Sequence, residues 1–225
     1  YIQEKQFILS RDISLVHKLS DGLAFDKQGI YEYIRLGYPL GSRTLFKNLS
    51  RLKPSSCIDF AEKIIIKSES FSLENWREDG KLHENGIESL YEIFKEAVRN
   101  RLKGSESPML SLSGGLDSRI IMGEIEKESW SVAYQSFLYK NAIIESDVAV
   151  VKKLCSFYKT QFGLTELEEW SPEYFDELVE VKYGMNYLGM AFIIPYLKKM
   201  SRQYDLMLTG DGGDKTLAYL FPEKS

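Results

Sequence analysis

The residues with the clearest chemical purpose are Leu110-Ser111-Leu112-Ser113-Gly114-Gly115-Leu116-Asp117-Ser118. An apolar run enters two glycines, and an Asp-Ser pair opens the next segment. A strand, a glycine turn and a helix start together make an anion site. Glycines allow close backbone approach, the first N–H groups of a helix point outward, and the helix dipole favours negative charge. Ser113 and Ser118 add hydroxyl donors, and Asp117 can hold a Mg²⁺ that bridges phosphate oxygens. No lysine follows the glycines, which excludes the Gly-x-x-x-x-Gly-Lys-Ser/Thr phosphate loop, and the Gly-x-Gly-x-x-Gly dinucleotide fingerprint is absent too. The plainer reading is a strand–turn–helix connection with two turn glycines.

A second segment has a related character. The apolar run Leu206-Met207-Leu208 leads into Thr209-Gly210-Asp211-Gly212-Gly213-Asp214. Glycines let such a loop pack against a ligand. Asp211 and Asp214 place carboxylates at the carboxyl end of a strand, where open α/β sheets bind their ligands. Standing alone, the segment would read as an acidic, glycine-rich surface turn.

The first segment resembles the PP-loop of ATP pyrophosphatases, enzymes that cleave ATP between the α- and β-phosphates. The second resembles the Ser-Gly-Glu-Gly-x-Asp-Glu motif of asparagine synthetases and their relative β-lactam synthetase. Two weaker stretches agree: Ser146-Asp147-Val148-Ala149 through Leu154, similar to the helix after the second strand, and Arg11-Asp12, Leu23-Ala24-Phe25, Gly37 to Phe46 and Leu52-Lys53-Pro54, similar to the closing part of the family's glutaminase domain. The resemblance implies ATP over the Ser113–Ser118 loop, with Ser113, Gly114, Gly115, Asp117 and Ser118 at the phosphates. Leu112, Gln135, Thr209 and Gly210 would lie near the adenosine. It further implies Mg²⁺ on Asp117 and Asp214, with Asp117, Asp211 and Asp214 as the catalytic acids. The implied activity is an ATP-dependent amide-forming ligase that adenylates a small-molecule carboxylate, aspartate in the commonest case, and passes it to ammonia or another amine. A specialised amide-closing relative of the lasso-peptide cyclase or β-lactam synthetase type is the second reading, and a non-catalytic nucleotide-binding subunit the third.

The chain also departs from the family's pattern. The family's glutaminase domain starts with a nucleophilic N-terminal Cys, whereas this chain starts with Tyr1, and neither Cys57 nor Cys155 stands in a matching position. Glutamine hydrolysis by this chain is therefore not expected. Lys215 replaces the last Glu of the acidic motif. The family's pyrophosphate-binding Lys lies far downstream, so the region is expected to be the middle of a longer enzyme.

Both loops need a scaffold, and the hydrophobic pattern supplies one. Ile87, Leu90, Ile93, Phe94, Ala97, Val98 and Leu102 share one face of a helix that ends before Gly104. Strands are predicted over Pro108 to Leu112, Trp130 to Leu138 and Leu206 to Leu208. Helices are predicted over Leu116 to Lys127, Asp147 to Tyr158 and Leu188 to Met200, the last bent by Pro195. This alternation predicts an α/β fold, a parallel sheet with helices on both faces of the adenine nucleotide alpha hydrolase-like, PP-loop type. A strand-rich remnant of an N-terminal glutaminase-like domain is expected before it, with short strands near Phe7 to Leu9 and Cys57 to Ile66 and a helix from Gly29 to Leu36 closed by Gly37. The polar stretch Lys67 to Asn85 is the candidate linker, dividing a first domain at 1–78 from an ATP pyrophosphatase domain at 79–225.

Composition agrees with this reading. Hydrophobic residues make up 44% and charged residues 28%, as in soluble globular chains. A net charge of −4 gives no basic excess to neutralise a phosphate backbone, so no nucleic-acid partner is expected. The strongest apolar stretch, Gly189 to Leu197, contains a proline and is far short of the ~20 residues a membrane helix needs, so no membrane association is expected either. Two cysteines without metal-ligand spacing suit a reducing, cytoplasmic setting. A homodimer is left open. His17 and His83 are isolated, and Glu166, Glu168, Glu169, Glu173, Asp176 and Glu177 read as a solvated face.

Overall fold

The computed structural model describes residues 2–3, 6–20, 22–53, 56–59, 65–68, 86–139, 145–167, 171–183 and 188–213. In chain order these hold β1 (Ile2–Gln3), β2 (Gln6–Phe7), α1 (Ile13–Leu19), α2 (Lys27–Leu36), β3 (Ser56–Asp59), β4 (Ile65–Ser68) and α3 (Gly86–Leu102). Then follow β5 (Pro108–Ser111), α4 (Leu116–Lys127), β6 (Ala133–Tyr139), α5 (Glu145–Tyr158), β7 (Phe162–Leu167) and α6 (Pro172–Lys182). A 3-10 helix (Leu188–Ile193), α7 (Ile194–Met200) and β8 (Leu206–Leu208) complete the order. Two compact units divide the chain, one of residues 1–81 with 171–191 and one of 82–170 with 192–225.

In the first unit, β1 pairs with β2 and β3 with β4, both antiparallel. Two helices lie between these hairpins. The sequence anticipates α2, whose end at Gly37 takes φ 81°, a left-handed cap that glycine adopts without strain. It does not anticipate α1, which Asp12 caps by accepting from Ser14 N at 2.9 Å. Gly29 lies so close to the Thr44 backbone that a Cβ would overlap the Thr44 carbonyl oxygen, which fixes α2 against the Thr44–Phe46 segment. The buried Glu32 carboxylate accepts from Leu40 N at 2.8 Å, Gln28 Nε2 at 3.0 Å and Arg43 Nε at 3.2 Å. Those bonds offset the desolvation of a buried charge.

The second unit is built on a four-stranded sheet in the order β7-β6-β5-β8, with every neighbouring pair parallel. Alternate residues of β5 and β8 face opposite layers. Leu110 and Leu208 join Val98, Met122, Ile125, Val151 and Cys155 under α3, α4 and α5. Met109 and Met207 face the other layer, with Leu167, Tyr196 and Met200. Those among them that are fully buried, such as Leu110, Met109, Met122 and Tyr196, contribute about 1.5–3 kcal/mol each. The expected helix over Leu188 to Met200 is a 3-10 turn followed by α7, with Pro195 in the first turn of the α-helix, where its missing N–H costs nothing. α4 and α5 end alike. Ser129 and Lys159 sit just past them at φ 56° and 57°, and Trp130 N and Thr160 N reach back to Ile125 O and Cys155 O.

From β5 the chain steps outward to β6 and β7, then places β8 on the other side of β5. The strand order thus reverses at β5, and a crevice at the carboxyl ends of β5 and β8 is the consequence.

Candidate functional site

The glycine loop leaves β5 at that switch point. Leu112 is buried, and its N–H donates to Gln135 O at 2.8 Å, continuing the β5–β6 ladder one residue beyond the strand. Ser118, 2% exposed, is the hub of the loop. Its hydroxyl accepts from Ser113 N at 3.1 Å, lies 3.0 Å from Ser113 Oγ and has Ser113 O and Gly115 O within donating reach. Gly115 N donates to Ser113 Oγ at 3.2 Å. Gly115 is also the N-cap of α4, and no side-chain hydrogen bond caps that helix, the kind of helix start that attracts an anion.

The acidic loop closes on this helix start from β8. A Cβ on Gly210 would stand 2.6 Å from Ser118 N, and one on Gly213 would stand 2.6 and 2.8 Å from the Asp117 carboxylate oxygens. A side chain at 210 is sterically excluded by backbone, and one at 213 would displace the Asp117 carboxylate, so these glycines let the backbone of the second motif lie on the first. Gly212 at φ 92° and the Gly213 N to Gly210 O bond at 3.3 Å fold the loop back over Asp117. The two loops meet at the carboxyl ends of neighbouring parallel strands, the juxtaposition that a shared site requires.

The individual residues fall as follows. Ser113, Gly114, Gly115, Asp117 and Ser118 line the loop, and Thr209 and Gly210 lie across from them, partly buried. Asp211 is exposed at the tip of the acidic loop. Gln135 is tied elsewhere through its side chain: its amide donates to Tyr204 Oη at 2.6 Å and lies on Gly163, where a Cβ would be 2.7 Å from Nε2. Asp214 and Lys215 lie outside the described residues, as do His83 and most of the candidate linker. His17 packs its ring on Tyr183 at 5.0 Å, a structural role. Cys155 is buried, and burial pushes its thiol up, away from nucleophilic use. Burial likewise raises the Tyr134 hydroxyl, reinforced by its hydrogen bond to Glu126.

One neighbour escaped the motif reading. Asp147, in the first turn of α5, lies with its carboxylate against Gly114. Its position at the start of the helix after the second strand was the available signal. Beside the acidic loop, a groove of about 590 Å³ runs between α3 and α4, lined by Leu90, Phe94, Ala97, Ile120 and Ile121, with Asp117 and residues 209–213 at its end.

Among the described residues no group of three His, Cys, Asp or Glu side chains is set to hold a metal. Mg²⁺ is held by one or two carboxylates with phosphates and waters, so Asp117 at the glycine loop fits that ion as one protein ligand.

Comparisons with known proteins address the same region. A Methanocaldococcus jannaschii protein, provisionally named asparagine synthetase (glutamine-hydrolysing) 2, is 24% identical over 229 residues, covering 96% of this chain and 43% of its own length. The chain therefore spans less than half of that relative. A glutamine-dependent NAD⁺ synthetase of Acinetobacter baumannii, solved with ADP, matches 73% of this chain and 31% of its own at 17% identity and a TM-score of 0.40, too loose a likeness to bear on function. The family model for asparagine synthase matches residues 89–221, more than half of the chain and inclusive of both loops. The chain belongs to the asparagine synthase family.

Proposed function

We propose that the protein is an ATP-dependent amide-forming ligase, in which the glycine loop and the acidic loop bind one nucleotide between them. The observation that carries this reading is the seating of Gly210 on Ser118 N and of Gly213 on the Asp117 carboxylate. It joins an uncapped helix start, which attracts phosphate, to a carboxylate suited to the cation that accompanies phosphate.

In this reading the triphosphate lies over Ser113 to Ser118, and Leu112, Thr209 and Gly210 border the adenosine. Gln135 contributes its backbone rather than its amide, which Tyr204 holds. Asp117 and Asp214 would hold Mg²⁺, which supplies charge neutralisation of the leaving pyrophosphate. A substrate carboxylate, aspartate being the first candidate, attacks the α-phosphorus and pyrophosphate leaves, giving an acyl-adenylate. Ammonia or another amine then attacks the acyl carbon and releases AMP. The protein's share is positioning and electrostatics, with N–H donors aimed at phosphate and no covalent step on the chain. Residues 1–78 are read as the closing part of a glutaminase-like domain. Cytoplasmic action on small molecules goes with this reading.

Isotope exchange between pyrophosphate and ATP in the full-length protein tests it. Exchange should require the carboxylate substrate and fall to background in Asp117→Ala. Exchange that ignores Asp117→Ala would remove that residue from the site.

A further inference from the structure

The two loops leave the Asp147 carboxylate without an assigned task. Asp147 is partly buried in the first turn of α5. A Cβ on Gly114 would stand 2.9 Å from its Cα and would overlap its carboxylate. Glycine at position 114 therefore does two things. It brings backbone close to an anion, and it admits a carboxylate to the same spot. These oppose each other, because the uncapped start of α4 attracts polyphosphate while the carboxylate repels it. An acid in a first helical turn also suits the helix dipole, but any position in that turn serves, without contact to a glycine loop.

The opposition resolves for a nucleotide that arrives complexed to a divalent cation, since the complex carries less negative charge and presents its cation to nearby carboxylates. Free nucleotide has no such relief. Contact with Gly114 puts the carboxylate well inside the ~10 Å Debye length of 0.1 M salt, so the repulsion survives ordinary ionic strength. We propose that Asp147 is a specificity-determining residue that selects metal-complexed nucleotide over free nucleotide at the glycine loop, an inference that rests on the ATP-binding reading above.

The test is equilibrium binding of ATP to the full-length protein, once with excess Mg²⁺ and once with excess EDTA, in wild type, Asp147→Asn, Asp147→Ser and Asp147→Glu. Asp147→Ser keeps a first-turn hydrogen-bond acceptor should the amide variant fold poorly. Wild type should bind the complexed form at least tenfold more tightly than the free form. Either neutral variant should shrink that ratio at least fivefold by tightening free ATP, while Asp147→Glu should retain it. A parallel loss of both affinities would mean that Asp147 only shapes the loop, and a ratio reduced solely by weaker binding of the complex would make it a metal ligand. Either result, or an unchanged ratio, overturns the proposal and leaves the ligase reading standing. Wild type that binds neither form of ATP overturns both.

Discussion

At the scale of single residues, the site is defined as much by absent side chains as by present ones. Gly114, Gly210 and Gly213 each face a backbone or carboxylate atom that a Cβ would meet at under 3 Å. Gly213→Ala is expected to weaken ATP binding by more than tenfold, about 1.4 kcal/mol, while barely changing the thermal midpoint. Calorimetric titration with a parallel melting curve checks this, and normal binding by Gly213→Ala would separate the two loops. The sequence alone marks the two loops that the fold brings together, because Ser-Gly-Gly-x-Asp-Ser after an apolar run has a direct physical meaning. It does not reveal Asp147 as part of the loop, since nothing in a helix-start acid says what lies across from it. Nor does it show that the Gln135 amide is tied to Tyr204, because that bond joins residues far apart in the chain.

At the scale of elements, legibility follows periodicity. α4 and β8 match their expected limits because each sits between clear signals, the glycines before α4 and the apolar triplet of β8. β7 and α6 escape the sequence reading. Phe162-Gly163-Leu164-Thr165-Glu166-Leu167 mixes a glycine and an acid into a strand, and the acids of α6 draw attention from Leu178, the one residue it buries. The apolar face of α3 is correctly placed, yet Ile87 and Ile93 stay 72% and 66% exposed, so periodicity identifies the face but not its burial. Gly163 in β7 has its own role, because it makes room for the Gln135 side chain. Gly163→Ala should force that amide from its place and destabilise the fold by about 1–3 kcal/mol. Urea denaturation measures the loss, and a change within error would mean that the strand tolerates a side chain there.

At the scale of the whole molecule, each unit carries carboxylates held below their ordinary range, Asp12 and Glu32 in the first and Glu128 and Asp205 in the second. In the first unit the Leu40 N–H, then the Gln28 amide, stabilise the charged form of Glu32 below its usual 4.5. In the second, the Ser105 hydroxyl, then the Glu106 N–H, do the same for Asp205 below its usual 3.8. A folded pKa below the unfolded one means that the unfolded chain binds protons more readily, so stability rises with pH across this window. Both contributions are complete above the usual values and are lost as pH falls through the depressed ones. Glu32→Gln and Asp205→Asn should each flatten the acid limb of a melting-temperature profile taken from pH 7 to pH 3. A profile as steep in both variants as in wild type would rule these two groups out as its cause. The sequence shows the acids but not this behaviour, which depends on N–H groups supplied from other parts of the chain.

α4 and α5 both start at the glycine loop, where Gly115 caps one and Asp147 lies in the first turn of the other, and both end on a non-glycine residue in left-handed backbone. At 1.5 Å per residue, that places the strained ends about 18–21 Å along each helix from the glycine loop. Heat tolerance and catalysis can therefore be tuned at opposite ends of the same two rods. Ser129→Gly and Lys159→Gly should each relieve about 0.5–1 kcal/mol of left-handed strain and raise the melting temperature by about 1–3 °C. The exchange rate should stay at its wild-type value, since the first turns at the glycine loop are untouched. A thermally hardier enzyme with unaltered turnover would show that in this fold the far ends of helices are free to evolve for climate while their near ends are held to chemistry.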